Sequence, residues 1–327
     1  MARILTGLVG DVGGTNARFA LAHVSDGAIR LEDPTSLRAA DYAAGHDAVR
    51  AFLDRLGDNE RPRFAVIAAA GPIEDGAVEF TNNTAWRFSE QDLAEVCALD
   101  VVRLINDFAA QALAIDHLAA GDVRRVGPAG TPVARATAAI LGPGTGFGAG
   151  ALVDDGSHRA ILSSEGPHAS FAPSDEVEIE IVRRLMTRFG RVSIERLISG
   201  PGLLNLYQTL ADIRGEPCVC AQPDEVTRRG LAGDPLAQMT LARFCAMLGS
   251  VAGDFALAFG ARRGVYVAGG IAPKMLDFLE ASEFRQRFEA KGRMRDYLKA
   301  IPTFVVTAPY AALTGAASQL ASLETAA

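Results

Sequence analysis

The sequence predicts an α/β protein built from two related domains with a cleft between them. Three observations carry this. Short apolar runs of strand type alternate with segments of helical spacing. A strand, a glycine-rich turn and a second strand occur near the start of each half of the chain. A length of 327 residues fits two domains better than one.

In chain order, Ile4 to Val9 reads as an apolar strand, GDVGGTN as a turn, and Ala17 to Val24 as a second strand, so the pair is expected to form a hairpin. Asp41 to Leu56 has helical spacing through Tyr42, Val49, Phe52, Leu53 and Leu56. Phe64 to Ala70 is a buried-strand pattern that stops at Gly71-Pro72. Ser89 to Leu99 follows as a helix with Ser89 as its N-cap and Asp92 three residues on. Val101 to Ile105 is another strand, ending at Asn106-Asp107 before the apolar helical stretch Phe108 to Leu118. The second half opens alike, with strand Thr137 to Leu141, turn GPGTGFG and strand Ala149 to Val153. Asp175 to Phe189 is an amphipathic helix whose Asp175 and Glu178 have capping-box spacing. Val265 to Ala268 is a strand running into Gly269-Gly270. Pro173, the GEPC stretch by Gly215 and Gly233-Asp234-Pro235 mark loops.

Composition removes several classes of function. The net charge is -7, which argues against a nucleic-acid surface. The four cysteines, Cys97, Cys218, Cys220 and Cys245, have neither disulfide-framework nor zinc-site spacing. The N-terminal residues lack the long apolar region and cleavage site of a signal peptide. No uninterrupted apolar run approaches the roughly 18 residues of a membrane span. A cytoplasmic protein with no membrane contact is expected. The only lysines are Lys274, Lys291 and Lys299. A P-loop needs its Gly-Lys-Ser/Thr ending and a protein kinase needs a lysine on an early strand, and neither is present. Any nucleotide must therefore be held by backbone amides and metal.

Five segments could carry chemistry. In Gly10-Asp11-Val12-Gly13-Gly14-Thr15-Asn16, glycines let backbone N–H groups approach phosphate oxygens, and Thr15 and Asn16 add donors. Asp11 there could orient a magnesium ion through water, although a tight hairpin with nothing bound has the same look. Gly142 to Gly148 loosely fits a dinucleotide fingerprint, but a strand rather than a helix follows it, so Gly144, Thr145 and Gly146 read as a second phosphate cradle. Asp107 is a strand-end carboxylate able to accept a proton from an attacking hydroxyl, and it could equally be a helix cap. Glu165 and His168 lie close enough to serve neighbouring hydroxyls as acceptor and donor, with Glu195 further on, which taken by itself reads as a helix-surface residue. Ala268-Gly269-Gly270-Ile271 would let a flat group such as adenine lie on backbone, or would simply be a strand-to-helix turn.

Taken in order, GDVGGTNARFALA, TNNTAW, LINDFAAQALAI, LGPGTGFG, EGPH, ERLISGPGLLNLY and VYVAGGIAPK resemble bacterial glucokinases of the hexokinase/actin-like ATPase superfamily, from about Leu8 to Ala316. The resemblance implies two actin-like, ribonuclease H-like domains, a small one over residues 1–108 with 309–327 and a large one over 109–308, with ligands in the cleft between them. It implies an enzyme using ATP and Mg2+ to phosphorylate D-glucose to glucose 6-phosphate, with Asp107 as general base. Asn83, Asn106, Asp107, Glu165, His168 and Glu195 would contact the sugar. Gly13, Gly14, Thr15 and Asn16, with Gly144, Thr145 and Gly146, would hold phosphates, and Gly269 and Gly270 would lie by the nucleoside. It also implies a homodimer. A same-fold kinase for another hexose or an N-acetyl hexosamine, or a non-catalytic sugar-binding regulator, are the competing readings. The family usually has Glu-Gly-Gly-His where this chain has Pro167. Proline removes one amide donor, so sugar or phosphate affinity would suffer if that amide were used.

Overall fold

In the computed structural model, residues 4–57, 61–80, 86–128 and 130–324 are described. The chain divides into two compact units, Met1–Gly121 with Ala308–Ala327, and Asp122–Thr307. Elements are numbered along the whole chain.

The first unit holds strands β1 (Leu5–Val12), β2 (Asn16–Ser25), β3 (Ala28–Arg38), β4 (Phe64–Ala69), β5 (Ala77–Glu79), β6 (Arg87–Ser89) and β7 (Val101–Asn106). Its helices are α1 (Gly45–Leu53), α2 (Glu90–Cys97), α3 (Asp107–Ala114) and the C-terminal α11 (Ala311–Ser318) and α12 (Leu320–Glu324). The main sheet has the order β3-β2-β1-β4-β7. The first three strands are antiparallel neighbours, and β4 and β7 then add in parallel to β1. Side-chain alternation assigns the faces. Leu8 and Val12 go to the face packed by α1 and α2, while Val9 goes to the face covered by Leu313, Ala316 and Leu320 of the C-terminal helices.

The second unit repeats this plan. Its strands are β8 (Val123–Val126), β9 (Ala138–Pro143), β10 (Phe147–Asp154), β11 (Arg159–Ser164), β12 (Gly264–Val267) and β13 (Thr303–Val306). Their order is β11-β10-β9-β12-β13-β8. Again three strands form an antiparallel meander and two add in parallel, with β8 appended antiparallel to β13. The two glycine hairpins, β1–β2 and β9–β10, thus occupy matching places in matching sheets. The internal repeat expected from the sequence is real, and the mixed α/β class is the one observed.

Helices α4 (Glu176–Phe189), α5 (Gly200–Arg214), α6 (Pro223–Leu231), α7 (Pro235–Phe259), α8 (Leu276–Ala281), α9 (Phe284–Glu289) and α10 (Arg295–Ala300) complete the second unit. By length and composition α7 could cross a membrane, but 72% of its most apolar stretch is buried inside the protein. Gln238, Arg243 and Asp254 interrupt it, and Phe244, Met247, Leu248 and Val251 sit in the main core of the unit. It is a core helix.

Local signals explain several boundaries. Ser89 caps α2, its hydroxyl accepting from Asp92 N at 3.3 Å. Asp175 caps α4, accepting from Glu178 N at 2.8 Å. The reciprocal bond differs from a strict capping box, since Glu178 accepts from Ser174 N rather than from Asp175 N. The helix expected from Asp41 is shorter, because a 3-10 turn occupies Ala39–Asp41 before α1 begins at Gly45.

Candidate active site

In the first unit, β1 and β2 pair Asp11 with Arg18 across the hairpin, and Arg18 Nη1 donates to Asp11 Oδ2 at 2.9 Å. Gly13 N donates to Asn16 O at 3.0 Å and closes the turn, while Ala39 N donates to Thr15 O at 2.9 Å and anchors its outer side. Gly13, Gly14 and Thr15 make the turn itself, and Asn16 opens β2. Gly10 and Val12 lie inside β1 instead, paired with β2 on one side and β4 on the other, and the Val12 side chain is buried in the core. Those two position the cradle more than they line it.

Burial pushes the Asp11 carboxyl above its ordinary value of 3.8, and Arg18 offsets this only in part. A carboxyl raised on folding stabilises the fold only while protonated. That contribution is present below its ordinary value and is lost as pH rises through the raised one. At neutral pH the charged form is a cost to stability. Asp11→Asn should therefore keep or raise the thermal midpoint at pH 7. A lowered midpoint, read by calorimetry, would make Asp11 a structural residue.

Asn106 and Asp107 sit where β7 meets α3. Either could cap the helix, and the structure gives that task to Asn106. Its Oδ1 accepts from Phe108 N at 2.9 Å and Ala109 N at 3.1 Å, and its Nδ2 donates to Gly71 O at 3.2 Å. Asp107 is consequently the first helical residue, half-buried, with Oδ1 accepting from Phe108 N at 3.0 Å. A helix N-terminus favours a carboxylate charge there. Helix α3 is fixed from behind by α11, where backbones approach so closely that a Cβ on Gly315 would lie 1.8 Å from Ala110 O. Asn83 falls outside the described residues.

In the second unit the remaining candidates gather at the end of β9. Gly144 N donates to Gly146 O at 2.8 Å inside the turn, and Gly200 N of α5 donates to Gly144 O at 2.8 Å from outside. Residues 268–271 pack directly on this turn. Ala268 N donates to Leu141 O at 2.8 Å and Ile271 N to Pro143 O at 3.3 Å. Gly269 has φ +82°, and a Cβ on it would meet Pro143 O at 2.4 Å, so only glycine fits. Glu165, Gly166, Pro167 and His168 form a 3-10 turn after β11, in which His168 N donates to Glu165 O at 3.0 Å. The Glu165 and His168 side chains are more than half exposed, with Nε2 and Oε2 3.6 Å apart. Arg191 Nη1 donates to His168 O at 2.6 Å and steadies the turn.

Glu195 is in a turn rather than on a helix. Its N donates to Pro167 O at 3.1 Å, and its carboxylate Oε2 accepts from Phe147 N at 2.9 Å, next to the β9–β10 turn. Ser199, which carried no role in the sequence, donates from Oγ to Glu195 O at 2.8 Å and caps α5 by accepting from Gly202 N at 3.0 Å. The signal was legible, since Ser199 precedes Gly200-Pro201 at a helix start. Within the protein, the Pro167 carbonyl is the group that accepts from Glu195 N. The cavity of about 510 Å³ lined by Arg183, Arg184, Arg188, Gln208 and Asp212, among others, contains none of these residues.

A duplicated sheet with a glycine hairpin in each copy, a strand-end carboxylate, and a Glu-His turn beside the second hairpin define a sugar kinase of the actin-like class. Comparison with known proteins narrows this. The glucokinase family model matches residues 8–323. The glucokinase of Caulobacter sp. strain K31 is 51% identical over 311 residues, covering 95% of this chain and 94% of its own. That of Hahella chejuensis is 45% identical, covering 99% of both. The crystal structure of a glucokinase from an Antarctic psychrotroph superposes with a TM-score of 0.85 at 36% identity, covering 97% of this chain and 99% of that one. A Streptomyces griseus ROK family glucokinase solved with glucose and AMPPNP shares the fold, with a TM-score of 0.66 at 18% identity over 95% of this chain and 98% of its own. The chain belongs to the glucokinase family.

Proposed function

We propose that this protein transfers the γ-phosphoryl group of ATP to the C6 hydroxyl of D-glucose, with Asp107 as general base. The observation that carries the assignment is the division of labour at the β7–α3 junction. Asn106 caps the helix by accepting from Phe108 N and Ala109 N, while Asp107, which also accepts from Phe108 N, places a carboxylate at the first helical position.

The hydroxyl passes its proton to Asp107 as its oxygen attacks phosphorus in line. The new O6–P bond forms as the bond to the β-phosphate oxygen breaks, and ADP leaves. Glu165, His168 and Glu195 serve the sugar hydroxyls, together with Asn83 and Asn106. The turns at 13–16 and 144–146 present backbone amides to phosphate oxygens, where developing charge is stabilised best. Gly269 and Gly270 offer the nucleoside a surface without side chains. Asp11 is the residue that suits Mg2+ through bound water, because a hard cation prefers carboxylate and water oxygens and the Arg18 pairing offsets the burial of its carboxyl only in part. When bound, the ion would neutralise phosphate charge. The same reading takes the protein as a cytoplasmic homodimer, as the resemblance implies, and light scattering on the purified protein tests the dimer.

The deciding experiment is ADP release from Mg·ATP with and without D-glucose, then with mannose, fructose and N-acetylglucosamine. Glucose-dependent release well above the others is the expected outcome. Faster release with another sugar would reassign the substrate within the same fold, and none with any sugar would overturn the enzymatic reading.

A further inference from the structure

We infer that Glu195 is a positioning residue that ties the sugar turn to the nucleotide hairpin, so that each ligand binds more tightly when the other is present. The inference rests on the function proposed above. Glu195 belongs to a closed circuit of hydrogen bonds. Its Oε2 holds Phe147 N, the first amide after the 144–146 turn. Its carbonyl holds the Ser199 hydroxyl. Ser199 caps α5, whose first amide, Gly200 N, returns to Gly144 O in the same turn. A branch from this ring, Glu195 N to Pro167 O, reaches the Glu165–His168 turn.

A carboxylate has two oxygens and accepts several donors at once. A sugar hydroxyl that donates to Glu195 would engage the same group that fixes the nucleotide turn. Sugar would then order the turn before the nucleotide arrives, and a coupling of this kind is reciprocal. A side chain that only contacted sugar would have no need of the bond to Phe147.

Gly146 provides the test, because it belongs to the nucleotide turn and not to the sugar turn. Its φ is not positive, so alanine is free of backbone strain there. Among the described residues beyond its chain neighbours, a Cβ would meet Glu195 alone, at 2.7 Å from Oε2. That oxygen ends a flexible side chain, so the carboxylate should give way and the fold persist. Calorimetric titration of Gly146→Ala with glucose, in the absence of nucleotide, should show the Kd raised by about tenfold, the worth of one hydrogen bond to a charged group. A Kd within about twofold of wild type would overturn the inference and leave the proposed function standing. Should Gly146→Ala not fold, the factor by which saturating glucose tightens AMP-PNP binding decides the matter. Wild type should show a factor of at least about five, within the usual range for coupled sites. Glu195→Gln should bring it near one, because the amide oxygen can serve the turn or the sugar while its other end only donates. A factor of one in wild type, or an unchanged factor in Glu195→Gln, overturns the inference. Wild type binding neither ligand would overturn the proposed function and this inference with it.

Discussion

Asp107→Ala should lower kcat by about 10²–10⁴, the usual share of a positioned base, while glucose still binds. The side chain sits on a rigid support. Asn106 caps α3, β7 lies beside β4, and α11 presses on the back of α3 at Gly315. Removing the carboxylate leaves these contacts in place and loses the bond it accepts from Phe108 N. Rapid-quench measurement of a single turnover, with glucose binding measured separately, distinguishes lost chemistry from lost binding. Near-normal turnover with sugar bound would remove Asp107 from the role of base.

Glu178→Ala should cost about 3–5 kcal/mol of stability, the range for removing one partner of a buried ion pair. Glu178 has 0% exposure and accepts from Arg287 Nη2 at 2.7 Å, Arg243 Nη1 at 3.2 Å and Ser174 N at 2.8 Å. It therefore joins α4, α7 and α9. Among the described residues, the two guanidinium groups would be left with Asp175 and Ser250 as partners. Urea unfolding should show the loss in the unit Asp122–Thr307, and a cost below about 1 kcal/mol would show that the cluster relaxes easily. Asp175 gives this cluster a pH signature. Burial raises its carboxyl, but the Glu178 amide and Arg243 outweigh that and hold it below the ordinary value of 3.8. Its contribution is thus present above that value and lost as pH falls through the lowered one.

The glycine hairpins and the caps at Ser89 and Asp175 were legible because each is a local device, written in consecutive residues. β3 was not legible. It is an edge strand with Pro34 inside it and a register shift opposite it between Phe19 and Leu21, so its pattern never alternates cleanly. β13 is four buried residues, too short for periodicity to separate strand from helix. At the candidate site, sequence identified Asn106-Asp107 but not which residue caps, since both types are favoured there. It picked out Glu195 through resemblance alone. The bonds that give Glu195 its place run to Phe147 and Pro167, 48 and 28 positions away in the chain, and no spacing rule connects them.

The proline in the Glu165–His168 turn has a thermodynamic meaning of its own. Position 167 supplies a carbonyl to Glu195, and a proline supplies that as well as glycine does. What differs is the freedom of the empty loop. A ring that fixes φ leaves fewer conformations to be surrendered when the loop becomes ordered, an effect of about 0.4–1 kcal/mol for compatible sites. On the function proposed above, sugar reaching this turn would meet a segment already held in shape. Its binding should carry a smaller entropic penalty than in a Pro167→Gly variant, and depend less on favourable enthalpy. What looks in the sequence like a blemish in the motif is a change in how affinity is divided between heat and order.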